Sequence, residues 1–260
     1  MSDSLKVAVL QSHLYWEDAT KNRQAFTQKI EALQEPVNII ILPEMFTTGF
    51  TMNATSVAET MDGETMTWMK QLSSKTKSAI MGSFVVSEQE NFYNRLVFMM
   101  PDGSHRTYDK RHTFTLAGEH KMYTAGTKKE VITYKGWKLC PQICYDLRFP
   151  VWSRNVENYD VLIYVANWPK PRINAWVALL KARAIENMSY CISVNRVGED
   201  GNGHEYPGHS AVYDALGEKI DTIENNIEQS AIITLYKDHL HKYRQKLNFL
   251  NDRDSFSLEV

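Results

Sequence analysis

Apolar positions along this chain follow two alternating patterns. Residues 5–12, LKVAVLQS, predict a short strand, whereas Ala25, Phe26, Ile30 and Leu33 recur at helical spacing within 17–33. The run VNIIIL that follows is continuously apolar, as expected of a strand covered on both faces, and Pro43 marks its exit. A helix is predicted over 60–74, then neighbouring strands over 78–87 and 94–101. Residues 108–126, YDKRHTFTLAGEHKMYTAG, mix charge, histidine and aromatic rings without a period and predict a long ordered loop of the kind that serves a site. Strands resume in VITYKGWKLCPQIC, a short helix is expected in VWSRNVENY, and DVLIYVANW is another apolar strand. A helix over 174–188 would bury Trp176, Leu179, Leu180, Ala184 and Met188, with YCISVNRVG as the next strand. The last segments, SAVYDALGEKIDTI and QSAIITLY, read as hairpin-like ahead of a polar helix and tail from Lys237.

The alternation of strands and helices predicts an α/β layered fold, and the paired strands 78–87 and 94–101 make its sheets mixed rather than purely parallel. Without a repeat, a low-complexity tract or a linker rich in Gly, Pro or Ser, residues 1–260 are expected to form a single domain. No GxGxxG or GxxxxGK[ST] follows the early strands, which removes the main support for a nucleotide-binding domain.

Charge narrows the partners. A formal net charge of -2 and a pI near 6.5 supply no basic excess for nucleic acid or an anionic membrane, so a small-molecule substrate is expected. No run approaches the ~20 apolar residues of a membrane helix. The opening MSDSLKVAVLQ runs into a strand without the features of a secretory leader, and the odd count of three cysteines fits a reducing compartment, so a cytoplasmic location is expected.

Candidate chemistry sits where apolar strands end. Glu44 follows the first buried strand in LPE, Lys110 follows HRTYD, and Cys144 follows KLCPQI, so a carboxylate, an amine and a thiol meet if these strands end on one side. A thiol of ordinary pKa ~8.5 needs a base or a nearby cation to act as a nucleophile. Glu44 could be that base, and Lys110 at about 4 Å would contribute ~4 kcal/mol at an effective dielectric of ~20 to a thiolate or an oxyanion. Taken singly, Cys144 reads as a packed thiol, Glu44 as a strand-end carboxylate and Lys110 as a solvated cation. Their joint pattern reverses that reading, while Cys140 and Cys191 keep it. No metal or other cofactor is expected, because Cys140 and Cys144 lack a second tight pair and no His-x3-His occurs.

The segments LPEMF, YDKRHTF and CYDLRFP, in that order, resemble the carbon–nitrogen hydrolase (nitrilase) superfamily and its Glu-Lys-Cys set. AGEHKMYTAG, VWSRN, YVANWP, KARAIENMSYCISVNRVG and GHSAVYDALGE extend the likeness across the chain, most closely to the ω-amidase branch. This resemblance implies a four-layer α-β-β-α sandwich, a cysteine thioester intermediate and a homodimer. It implies Glu44 as general base, Lys110 and the Tyr145 N–H as the oxyanion site, Cys144 as nucleophile, and Glu119 as a second glutamate held beside the lysine. It also implies an ω-amide substrate, 2-oxoglutaramate or 2-oxosuccinamate, hydrolysed to the oxo-diacid and ammonia. The family's usual leucine after the loop histidine is Thr113 here, expected near the pocket rim.

Substrate contacts are expected around the thiol. Arg148 is placed to grip a carboxylate bidentately, with Phe46, Tyr145 and Trp168 as flat apolar walls. Arg148 could instead anchor the next helix through Asp146, and His112 and His120 read as loop hydrogen-bond donors. Two other readings stand beside the ω-amidase: a related amidase or carbamoyl-amine hydrolase, and a catalytically silent binding member. CYDLRFP differs from the Trp-Glu-Asn that follows the cysteine in true nitrilases, which favours amides over nitriles.

Overall fold

A computed structural model describes residues 3–259. In chain order its strands are β1 (Ser4–Gln11), β2 (Ile39–Ile41), β3 (Ala79–Glu88), β4 (Asn91–Met99), β5 (His105–Asp109), β6 (Ile132–Tyr134), β7 (Trp137–Ile143), β8 (Val161–Ala166), β9 (Tyr190–Asn195), β10 (Val197–Glu199), β11 (Glu205–Pro207), β12 (Ala211–Tyr213) and β13 (Gln229–Tyr236). Six of them form one sheet in the order β13-β1-β2-β3-β4-β5, and five form a second in the order β12-β9-β8-β7-β6. Each sheet has a parallel centre, β1-β2-β3 or β7-β8-β9, flanked by antiparallel strands, so both are mixed.

The period of two along each strand decides what lies between the layers. Val7, Val9, Ile39, Ile41, Met81 and Phe98 point from the first sheet into a core shared with Leu139, Ile143, Ile163, Val165 and Val194 of the second. Their neighbours Ala8, Leu10, Ile40, Ile80 and Val97 point the other way, onto Phe26, Ile30, Met66, Met69 and Leu72. Those residues belong to helices Ala19–Glu31 and Glu64–Thr76. Asp18 caps the first of these by accepting the Lys21 N–H at 3.0 Å. On the far side of the second sheet, helix Ile173–Asn187 buries Trp176, Leu180 and Ala184. The result is the expected four-layer α-β-β-α sandwich.

Two expected elements differ. The helix there is Pro150–Ser153, so only the first three residues of VWSRNVENY are helical. The Asn155 side chain takes over the backbone bonds beyond it, donating to the Tyr159 carbonyl at 2.9 Å and accepting the Tyr159 N–H at 2.8 Å. Nor do the last two apolar segments pair with each other. β12 joins β9 in the second sheet, whereas β13 runs antiparallel to β1 at the edge of the first. Alternating apolar residues fit either neighbour, so the pattern alone did not say which strand each would meet.

Phe46 is a further correction. Instead of walling a pocket, its ring is fully buried in the helix-facing core, with ring centroids 5.7 Å from Phe26, 5.7 Å from Trp68 and 6.3 Å from Phe84. It lies on β3 at Gly82, where an added Cβ would come within 2.8 Å of the Phe46 ring and 2.9 Å of Leu42. Replacing Phe46 by Ala should therefore cost about 3–5 kcal/mol of stability, seen as a lower urea midpoint at unchanged slope; a midpoint equal to the parent's would return Phe46 to a solvent-facing wall.

Candidate active site

The three strand exits do meet. Glu44 lies just past β2, in a turn held to β3 by the Met45 N–H on Ser83 Oγ at 2.9 Å and the Phe46 N–H on the Ser83 carbonyl at 2.9 Å. Lys110 follows β5 directly, its N–H donating to the Asn94 carbonyl at 3.0 Å. Cys144 follows β7 in the second sheet and opens the 3₁₀ turn Cys144–Arg148.

Cys144 has φ 45°, a left-handed conformation that costs a non-glycine residue about 1–3 kcal/mol and persists only when its surroundings impose it. Asp146 does the imposing. Its buried carboxylate accepts the Ile143 N–H at 3.0 Å and the Tyr108 hydroxyl at 2.7 Å through one oxygen. Through the other it accepts the His112 N–H at 2.9 Å and faces His112 Nδ1 at 2.7 Å. One side chain thus fixes the nucleophile's turn to the end of β5. Asp146 makes no pair with Arg148, so the alternative anchoring role for Arg148 is not the one adopted. His112 is an ordered loop donor, as expected, stacked on Phe149 at 3.7 Å.

The polar centre is buried. Lys110 is 1% exposed and Glu44 and Glu119 are 0% exposed. Lys110 Nζ donates to Glu44 Oε1 at 2.9 Å and to both oxygens of Glu119 at 3.0 and 2.9 Å. Asn94 bridges the two acids, donating to Glu44 Oε1 at 2.8 Å and reaching Glu119 Oε1 at 3.4 Å. Glu119 also accepts the Phe114 N–H at 2.5 Å, which folds the loop over itself. From the second sheet, Asn167 donates its N–H to Glu44 Oε2 at 2.8 Å and its side-chain amide to the Glu44 carbonyl at 2.6 Å.

This arrangement sets the state of the thiol. Burial, then the Glu44 carboxylate, push Cys144 well above the ordinary thiol range, and Lys110 offsets only part of that. Burial opposes the Lys110 charge, but Glu119 and Glu44 together hold the ammonium above its usual range. Glu119 is itself raised, by burial and by the Glu44 charge, against the pull of Lys110. Two acids thus share one cation at 2.9–3.0 Å. Of the two roles expected for Lys110, support of a thiolate or of an oxyanion, the first is outweighed by burial and by Glu44, which favour the neutral thiol. Its Sγ lies 3.9 Å from the Asn167 carbonyl oxygen.

Cys144, 9% exposed, sits at the base of a cavity of about 590 Å³ with Lys110 and Asn167. Phe50, Phe114, Tyr145 and Trp168 supply aromatic surface, and the guanidinium of Arg148 lies in the same cavity with its Cζ 5.0 Å from the Trp168 ring centroid. Tyr145 packs edge-on against Phe114 at 4.9 Å. Neither Phe46 nor Thr113 lines the cavity, so the departure at 113 falls outside it. Cys140 and Cys191 are buried strand thiols, and burial pushes the first up to about 12.

Three contributors were not foreseen in these positions: Asn94, Asp146 and Asn167. Each had a weak signal, a polar residue inside or just after an apolar strand. None carried chemistry without knowledge of what it faces.

Comparison with known proteins agrees with the geometry. The chain is 44% identical over 255 residues to omega-amidase YafV of Yersinia enterocolitica, covering 98% of this chain and 99% of that one. It is 31% identical to the 2-oxoglutaramate amidase of Bacillus subtilis, covering 81% of this chain and 83% of that one. Its structure matches that of XC1258 from Xanthomonas campestris, a CN-hydrolase superfamily protein with an arsenic adduct in its active site, at a TM-score of 0.97 and 40% identity, over 99% of this chain and 100% of that one. The Carbon-nitrogen hydrolase family model matches residues 6–245, and the chain belongs to that family.

Proposed function

We propose that this protein is an ω-amidase, hydrolysing the terminal amide of short 2-oxo dicarboxylic acid monoamides such as 2-oxoglutaramate and 2-oxosuccinamate. The observation that carries the reading is the Cys144 thiol lining, with Lys110 of the buried Glu44–Lys110–Glu119 group, a cavity that Arg148 also lines. Likeness to curated amidases over nearly the whole chain supports it.

In this reading, the amide carbon lies against Sγ and its oxygen toward Lys110 Nζ and the Tyr145 N–H. As the C–S bond forms, the thiol proton moves to Glu44 and the carbonyl π pair moves onto oxygen, where the two donors stabilise it. Collapse breaks the C–N bond, and the proton on Glu44 passes to nitrogen, releasing ammonia and leaving a thioester. Water then attacks with Glu44 as base, the carboxylic acid leaves, and sulfur recovers its proton. The sum is amide plus water to acid plus ammonia, with no cofactor consumed.

The neutral resting thiol makes Glu44 a proton carrier rather than a stabiliser of thiolate. Glu44→Gln removes a negative charge from beside sulfur and should lower the thiol pKa, measured by thiolate absorbance. Ammonia release should nevertheless fall by about 10³-fold. A variant that keeps turnover would end the proposed role. Cys144→Ala should lose turnover and the acyl adduct that whole-protein mass spectrometry detects in the parent.

Arg148 is the proposed grip for the far carboxylate, since a guanidinium can hold it with two parallel hydrogen bonds. Arg148→Ala should raise KM for 2-oxoglutaramate by about 10- to 100-fold with a smaller change in kcat. Equal KM in the two proteins would leave Arg148 with no part in substrate binding.

The proposed setting is the cytoplasm, which three free buried thiols suit. The proposed assembly is a homodimer. Val177 and Ile185 on helix Ile173–Asn187 leave apolar side chains on its outer side, 36% and 44% exposed, as an interface between copies needs. Light scattering should give about twice the 30.0 kDa chain mass; a monomer mass at micromolar concentration would remove the assembly.

A further inference from the structure

The cavity holds a second guanidinium that the mechanism above does not use. Arg172 ends the 3₁₀ turn Lys170–Arg172 and lines the same cavity as Cys144 and Arg148. Its Cζ lies 4.9 Å from the Phe114 ring centroid, just as Arg148 lies over Trp168. Among the described residues neither guanidinium has a carboxylate partner. The two acids of the cavity are engaged elsewhere. Glu17 accepts from the Thr51 hydroxyl at 2.5 Å and the Asn53 amide at 3.2 Å. Asp200 accepts from the Tyr206 hydroxyl at 2.7 Å and from the N–H groups of Asn202 and His204 at 2.9 and 3.0 Å.

We propose that Arg172 is a specificity-determining residue which, with Arg148, forms a two-guanidinium clamp for the 2-oxo-carboxylate end of the substrate. This inference rests on the amidase reading. A 2-oxo acid presents a keto oxygen beside two carboxylate oxygens, more acceptors than one guanidinium fork satisfies and none that donates. Two forks match that set. A 2-amino acid places an ammonium at the same position, where two unpaired cations repel it, so the clamp selects oxo-amides over free glutamine.

One indole touches both residues. Arg148 lies on the face of Trp168, and the Trp168 Nε1–H donates to the Arg172 carbonyl at 2.8 Å. Phe114, beneath Arg172, gives its N–H to Glu119 and its ring to Tyr145. An oxo-acid seated on Arg172 therefore bears on the loop that carries Glu119 and on the residue next to the nucleophile.

The test compares ammonia release from 2-oxoglutaramate, glutaric acid monoamide and L-glutamine by the parent, Arg172→Ala and Arg172→Lys. Arg172→Ala should raise KM for 2-oxoglutaramate by about 10- to 100-fold and affect the monoamide less, so the preference for the oxo group shrinks. Arg172→Lys, which keeps the charge and serves as the folded control, should recover part of it. Equal losses on both amides, or an unchanged KM for 2-oxoglutaramate, would overturn the clamp. Calorimetry of 2-oxoglutaramate with Cys144→Ala and with Cys144→Ala/Arg172→Ala separates the two readings. Binding that depends on Arg172, with no turnover by the parent, defeats the amidase reading and supports the clamp. Turnover by the parent, with binding indifferent to residue 172, defeats the clamp alone.

Discussion

A buried ammonium held between two buried carboxylates is the constraint that organises this protein. Taking an ion out of water costs several kcal/mol even after relaxation, and the attraction between partners offsets this only when the geometry is good and the remaining donors and acceptors are filled. Lys110 meets that condition by reaching both Glu44 and Glu119. Asn94 and the N–H groups of Phe114 and Asn167 then occupy much of what the carboxylates have left. Those groups come from β4, from the loop after β5 and from the exit of β8, so satisfying the charges requires the layers to be assembled. The contacts from Asn167 to Glu44 cross from one sheet to the other and act as a polar weld between halves otherwise joined by apolar packing.

Cys144 depends on a second fixed point. Asp146 holds Cys144 in its left-handed turn while binding Tyr108 and His112, which flank Lys110 in the chain. Trp152 adds its indole N–H to the Tyr108 hydroxyl at 3.0 Å. The thiol and the ammonium are therefore located by the same carboxylate network, although they belong to different sheets. A buried carboxylate with at least three donors is worth keeping at a position that never touches substrate, because without it the backbone at residue 144 would relax out of its strained conformation.

Much of this was legible in the sequence because the strong signals are local. Continuous apolar runs marked the buried strands, and the abrupt change to Glu44, Lys110 and Cys144 at their ends marked groups that the fold brings together. The family resemblance added the sandwich and Glu119. What failed was relational. Phe46 has the composition of a pocket wall, but its side of the turn faces the helices, and only the pairing with β3 at Gly82 fixes that side. β13 carries the alternation of a hairpin partner, yet its hydrogen bonds go to β1, more than two hundred residues earlier in the chain. Asn94 and Asn167 are each one amide in an apolar stretch, and their importance lies in a carboxylate that sequence spacing cannot place beside them.

The resting charge of the site also explains how a cysteine enzyme can keep a nucleophile without keeping a reactive thiolate. In water an ordinary thiol of pKa ~8.5 is a few per cent ionised at neutrality, and a cation alone at about 4 Å would raise that fraction greatly. Here burial reverses the balance, and the Glu44 carboxylate pushes the same way. In the proposed mechanism, sulfur becomes nucleophilic only as its proton moves to Glu44, and that transfer is favourable only when negative charge is developing on an oxygen within reach of Lys110. An electrophile that offers no such oxygen gains nothing from the ammonium and meets a neutral thiol. Under that mechanism, selectivity for a carbonyl substrate is built into the electrostatics of the buried group before any contact at the far end of the cavity is made.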